Sequence, residues 1–249
     1  WCLHRGGAGV STYLANVLAH WPTGAALRPE PFWAHLPGWA QRRLATADRL
    51  PPPLQFRPLR EMGRASGLSR RVPHRVRRVV QGLYGKAYVR RCNRGSYAAC
   101  WQPNHLARPA EAPVVTTMHD LSVLEHPEWH PPDRVAQWRA SLETSLQATT
   151  RWIAVSEFTK RRMVDLLDVP GERIDVIYQA ARPLPAESEG PAAGESLPDR
   201  YVLHLGTIEP RKNLPVLLDA WQALAEPVRR RVRLVLAGGV GWGEPEQFR

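Results

Sequence analysis

The residues with the clearest chemical capacity form one run, Gly206-Thr207-Ile208-Glu209-Pro210-Arg211-Lys212-Asn213-Leu214. It follows the apolar stretch Tyr201-Val202-Leu203-His204-Leu205 and precedes Leu214, Leu217, Leu218 and Trp221 at helical spacing. A strand that breaks at glycine and resumes as a helix presents unpaired backbone N–H groups and a helix N-terminus at one edge of a sheet. Both favour an anion. Arg211 and Lys212 add two cations, so the run suits a diphosphate or a carboxylate. A second glycine-rich turn, Arg5-Gly6-Gly7-Ala8-Gly9-Val10-Ser11, opens another helical pattern near the start of the chain. Read from Gly7 as a dinucleotide fingerprint it fails at Thr12, where glycine is required. A plain helix entry is its alternative.

Two further places carry polar groups at strand ends. His119-Asp120 follows Val114–Met118, a run rich in β-branched residues, and ligands of parallel sheets gather at such carboxyl ends. A lone loop histidine is more often structural, and Asp120 fits a hydrogen-bonded loop beside it. Ser156 follows the strand Trp152–Val155 and is best placed to cap a helix, with Glu157 favourable in its first turn. No Asp-x-Asp pair is present, since Asp165-Leu166-Leu167-Asp168 has the wrong spacing, and no metal site is expected.

The elements that must position these groups follow from periodicity. Val10, Leu14, Val17, Leu18 and Trp21 predict a helix from about Val10 to His20. Residues 22–69 are rich in Pro, Gly and Arg and read as irregular, with a short helix near Gln41–Asp48. Val72, Val76, Val79, Val80, Leu83 and Tyr84 form an apolar stripe ringed by Arg71, Arg75, Arg77, Arg78, Arg90 and Arg91. That is a basic amphipathic helix, suited to a membrane surface or to an ordinary core. From Ala112 onward strands and helices alternate: Val114–Met118, Asp133–Thr149, Trp152–Val155, Thr159–Leu167 and Ile174–Tyr178. This grammar predicts an α/β fold with a parallel sheet. Residues 182–198 (RPLPAESEGPAAGESLP) are poor in core-forming residues and read as a linker. A fresh strand-helix-strand follows, Tyr201–Leu205, Leu214–Leu224 and Arg233–Ala237, then the turn Gly238-Gly239-Val240-Gly241-Trp242.

The net charge of +11 is lopsided. Residues 1–110 hold 18 basic against 3 acidic residues, a balance of +15, while the remainder stands at −4. The positive region between Arg42 and Arg94 would attract phosphate-rich partners such as anionic lipid, nucleic acid or a phosphorylated substrate. A solvated arginine-rich surface is the plainer alternative. No segment approaches the ~20 apolar residues that span a bilayer. Three cysteines, odd in number and without zinc-type spacing, point to a reduced, cytosolic compartment.

Four segments together resemble glycosyltransferase family GT4. They are Gly6-Gly7-Ala8-Gly9-Val10-Ser11-Thr12-Tyr13, Thr116-Thr117-Met118-His119-Asp120-Leu121, Ile153-Ala154-Val155-Ser156-Glu157-Phe158-Thr159-Lys160, and the run from Leu205 through Lys212 and Asn213. The resemblance is to bacterial polysaccharide mannosyl- and rhamnosyltransferases in style. It implies a GT-B architecture of two Rossmann-like domains: an acceptor-side domain over 1–181 lacking its first strand, a linker over 182–198, and the start of a nucleotide-sugar domain over 199–249. The family's paired glutamates would then lie beyond residue 249. By that resemblance the activity is a retaining, metal-independent hexosyl transfer from a GDP-, UDP- or dTDP-sugar, without a cofactor, to a glycan or lipid-linked acceptor in cell-surface polysaccharide synthesis. His119 meets the transferred sugar. Arg211 and Lys212 stabilise the leaving diphosphate with Gly6, Gly7 and Gly9, and Asp120, Ser156 and Glu209 support them. The protein would work in the cytoplasm, with peripheral contact at the anionic inner face of the plasma membrane, and nucleic acid is not an expected partner.

Three rivals remain from the residues. A nucleic-acid binder using the Arg42–Arg94 region lacks basic–aromatic interleaving and any helix-turn-helix or zinc module. A dinucleotide oxidoreductase lacks the glycine fingerprint and an acidic partner at the right distance. The third is an inactive, partner-binding fragment.

Overall fold

The computed structural model describes residues 9–22, 24–27, 74–95, 97–181, 198–239 and 241–242. Gly6, Gly7, the helix expected near Gln41–Asp48, Arg71, Val72 and residues 182–197 of the linker lie outside that set. Contacts divide the chain into two compact units, Trp1–Leu121 with Ala140–Arg182, and Ser122–Arg139 with Pro183–Arg249.

The first unit is built on four parallel strands in the order β1 (Cys100–Gln102), β2 (Val114–Met118), β3 (Arg151–Ala154) and β4 (Ile174–Val176). The expected α/β class with a parallel, Rossmann-like sheet is what the chain adopts. Helices α1 (Gly9–Ala19) and α2 (His74–Arg94) precede β1. Between β2 and β3 in the chain run α3 (Ser122–Glu125), a 3-10 turn at Pro127–Trp129, and α4 (Pro132–Ala148), and of this stretch Ser122–Arg139 belongs to the second unit. Helix α5 (Glu157–Leu167) joins β3 to β4 and packs on both.

Strand β2 is paired on both edges, and four of its five residues are buried. Two of these are threonines with no exposure, so their hydroxyls need partners. Thr116 Oγ1 shares a 2.8 Å hydrogen bond with Thr149 Oγ1, whose hydroxyl donates to Ser145 O, and Trp101 Nε1 donates to Thr117 Oγ1 at 3.0 Å. Around them Met118, Trp152, Ala154 and Met163 are wholly buried. Burying a Met side chain stabilises the fold by ~1.5–3 kcal/mol before conformational entropy is subtracted.

The apolar stripe expected on α2 is not the face that packs, at least at its C-terminal end. Leu83 is 62% exposed, whereas Gly85 and Cys92 are buried and Tyr88 packs with Cys92, Cys100, Ala107 and Val114. Beside Gly85 lies the Arg108 side chain, where a Cβ would stand 2.2 Å from the guanidinium carbon. Burial raises the Cys100 thiol to about 12, the Cys92 thiol adding to the effect, and burial likewise pushes the Tyr88 phenol well above its usual range. Thiolate is the reactive form, so Cys100 should be inert while folded, and burial at 6% exposure keeps reagents from Cys92. In a Cys2→Ser protein at pH 8, we expect no maleimide labelling until denaturant is added. Stoichiometric labelling of the native protein would refute the buried cluster.

The second unit carries β5 (Tyr201–Leu205) and β6 (Arg233–Ala237), paired in parallel with Tyr201 opposite Arg233 and Leu205 opposite Ala237. Helices α6 (Leu214–Ala223) and α7 (Glu226–Arg231) connect them. Leu214 is buried at 1% exposure, while Leu203 and Leu205 lie open on the strand. In the same unit Trp242 Nε1 donates to Trp129 O at 2.7 Å, and the Arg134 guanidinium lies over the Trp242 ring.

Candidate functional site

Because β1 to β4 are parallel, their carboxyl ends share one edge, and polar groups collect there. Pro103 follows β1, His119 and Asp120 follow β2, Ser156 lies just past β3, and Gln179 lies just past β4. His119 joins three of these ends. Its Nε2 donates to Pro103 O at 2.8 Å, and Gln179 Nε2 donates to its Nδ1 at 3.1 Å. Thr159 Oγ1 donates to His119 O at 3.5 Å. The ring is boxed by aromatic edges, with Tyr13 of α1 at 5.2 Å and His105 at 5.3 Å between centroids. Trp101 stands edge-on to Tyr13 at 5.9 Å. His105 takes a left-handed backbone, φ 51°, and its N–H donates to Thr117 O, which turns its ring toward His119.

Of the remaining expected residues in this unit, Asp120 is half-buried beside His119. Ser156 is a helix cap: its Oγ accepts from Thr159 N at 3.1 Å and bonds Thr159 Oγ1 at 3.0 Å. Gly9 is the first residue of α1. Gln179, Pro103, Trp101 and His105 were not marked by the sequence. Gln179 sits 60 positions from His119 in a stretch without any motif, and only the shared sheet edge brings the two together.

The second unit holds the cationic run between β5 and a helix that starts at Leu214, as the helical spacing from Leu214 predicts. Within the run the chain forms a 3-10 turn, Pro210–Lys212, and Asn213 adopts φ 49° before α6 begins. Pro210 starts the turn and Pro215 lies in the first turn of α6, so the chain cannot run as one helix through this region. Arg211 and Lys212 therefore lie on the turn, ahead of the helix.

The two cations differ. Glu209 is buried at 3% exposure, and Arg211 Nη2 donates to its Oε1 at 2.5 Å. Lys212 is exposed, and its ammonium has no hydrogen bond or ion pair among the described residues. Its Cε lies 3.7 Å from where a Cβ on Gly206 would stand, so the lysine arm lies beside the glycine. Arg211 is largely neutralised, and Lys212 offers its charge to a ligand.

The turn after β6 completes this edge. Gly206 N donates to Ala237 O, Ile208 N to Gly239 O and Gly241 N to Ile208 O, at 2.9–3.0 Å. The ladder thus continues past both strands and lays two glycine turns side by side. Gly238 has φ 153°, and a Cβ on it would come within 1.9 Å of Gly206 O. Among the described residues no three His, Cys, Asp or Glu side chains stand together as metal ligands, and no helix is long and apolar enough to cross a membrane.

Residues 74–181 match the family described as Glycosyltransferase Family 4. The chain is 38% identical over 139 residues to the "O-antigen chain mannosyltransferase B" of Escherichia coli, an alignment covering 52% of this chain and 35% of that protein. It is 31% identical over 104 residues to the "Serotype-specific mannosyltransferase WbdA" of Escherichia coli, covering 42% of this chain and 12% of that one. The chain thus spans about a third of the first relative's length and about an eighth of the second's. The family segment contains β1 to β4 and every described group on their shared edge except Tyr13.

Proposed function

We propose that this chain, a Glycosyltransferase Family 4-like protein over residues 74–181, transfers a hexosyl group from a nucleoside-diphosphate sugar to a glycan or lipid-linked acceptor in cell-surface polysaccharide synthesis. Mannose is the first sugar to test, because the relatives carry mannosyltransferase names. The observation that carries the proposal is the Lys212 ammonium past the carboxyl end of β5, without a partner among the described residues and beside Gly206 and the paired glycine turn.

The chemistry follows from charge. As the glycosidic bond to phosphate breaks, the diphosphate gains negative charge, and groups that hold it best at that moment lower the barrier. Lys212, which has no partner to leave among the described residues, meets that need. Arg211, held by Glu209, shapes the turn and retains donors for the same anion. His119 hydrogen-bonds the transferred sugar. The reaction is retaining, and no metal or cofactor takes part. It takes place in the cytoplasm, with the basic helix α2 near the anionic inner face of the plasma membrane.

The test is transfer from a panel of GDP-, UDP- and dTDP-sugars to lipid-linked acceptor, with and without EDTA. We expect one of these donors to serve and EDTA to leave the rate within about twofold. Full loss with EDTA that Mg²⁺ or Mn²⁺ restores would reject the metal-free mechanism. No transfer from any donor would reject the function.

A further inference from the structure

We infer that Gln179 is a positioning residue that, with the Pro103 carbonyl, holds His119 in the Nε2–H form, so that Nδ1 is the acceptor it offers to the sugar hydroxyl of the proposed function. The reasoning starts from Pro103 O, 2.8 Å from His119 Nε2. A carbonyl oxygen only accepts, so Nε2 must carry the hydrogen. In the neutral ring Nδ1 is then left with a lone pair and no hydrogen. Only a donor fits opposite it, and the Gln179 amide supplies one at 3.1 Å. The carbonyl of Pro103 and the amide of Gln179 thus select one tautomer between them, and the Tyr13 and His105 ring edges limit rotation of the imidazole.

The two sides of the ring are not equivalent. Nε2 points at backbone, which cannot leave. Nδ1 points at an exposed side chain, which can. A sugar hydroxyl donating to Nδ1 replaces the amide one bond for one, so the exchange leaves no polar group unsatisfied. This assignment rests on the proposed function for the identity of the hydroxyl, but the tautomer itself does not.

The test uses the protein labelled with ¹⁵N-histidine and long-range ¹H–¹⁵N correlation at neutral pH. We expect the wild-type His119 ring to carry hydrogen on Nε2 alone. Gln179→Glu places an acceptor-only carboxylate opposite Nδ1, so both nitrogens should become protonated. Gln179→Leu should keep Nε2–H and shift the Nδ1 resonance toward that of a nitrogen without a donor. Both substitutions are at an exposed position, and unchanged melting curves would confirm folding. In transfer assays Gln179→Glu should lower kcat/KM by about tenfold or more, the loss of one acceptor for the substrate. A wild-type ring protonated at Nδ1 alone, or a neutral ring in Gln179→Glu, would overturn the proposal. If the spectra follow expectation but no sugar is transferred, the tautomer lock stands and the proposed function falls.

Discussion

Lys212→Ala is expected to lower sugar transfer by ~100–1000-fold while leaving thermal unfolding unchanged. The magnitude is that of removing one preorganised electrostatic contact from a transition state. The specificity of the effect follows from geometry. Lys212 is exposed and makes no ion pair among the described residues, so its loss leaves no buried group without a partner. Surface changes of that kind usually alter stability by under about 0.5 kcal/mol. Arg211→Ala should behave differently. It leaves the Glu209 carboxylate, 3% exposed, without its guanidinium, so stability should fall along with transfer. Because the Arg211 side chain is 36% exposed, water moderates that loss, and it should be smaller than for a fully buried pair. Steady-state kinetics beside melting curves for the two variants check this. Unchanged kcat/KM in Lys212→Ala would remove Lys212 from the mechanism.

Gly238→Ala should abolish transfer and destabilise the second unit by ~1–3 kcal/mol or more. The lower bound is the strain of a side chain at a backbone angle that favours glycine. The clash adds to it, because a Cβ would stand 1.9 Å from Gly206 O and 2.6 Å from Gly206 C. Neither atom is a flexible side-chain end that could swing away. The backbone must move, and with it the bonds from Ile208 N to Gly239 O and from Gly241 N to Ile208 O. Those bonds hold the turn on which Glu209, Arg211 and Lys212 sit. Gly239→Ala is the matched control, since a Cβ there meets nothing within 4 Å. Urea unfolding and donor-binding titration of both variants would separate the local clash from a general intolerance of substitution. Equal behaviour of the two would refute the role given to the close approach.

Much of the order of elements was legible in the chain. Val114–Met118, Tyr201–Leu205 and Arg233–Ala237 are strands over the residues expected, because runs of branched and aliphatic residues between turn signals leave few alternatives. Ser156 caps α5 as its type and position predict, and α4 and α6 begin or end within one residue of expectation. The miss at β1 has a physical reason. Cys100–Gln102 is three residues long, with no alternation to read, and it exists as a strand because β2 pairs with it. Helix α7 was missed because Glu226–Arg231 has five polar or proline residues in six and no apolar period.

By itself the sequence determined which residue types stand at strand ends, that the strands run parallel, and that cations follow a glycine after β5. These are properties of neighbours along the chain, which composition and periodicity record. Tertiary structure alone decided what each group has left to offer. It turned Leu83 outward on α2, bound Arg211 to the buried Glu209, and laid the Gly238 turn against Gly206. It also set Pro103 and Gln179 on opposite nitrogens of His119. Hydrogen bonds between residues far apart in sequence, and the burial that commits Glu209 to Arg211 two positions away, are matters of distance and direction. A linear order of residues carries neither until the sheet brings its carboxyl ends to one edge.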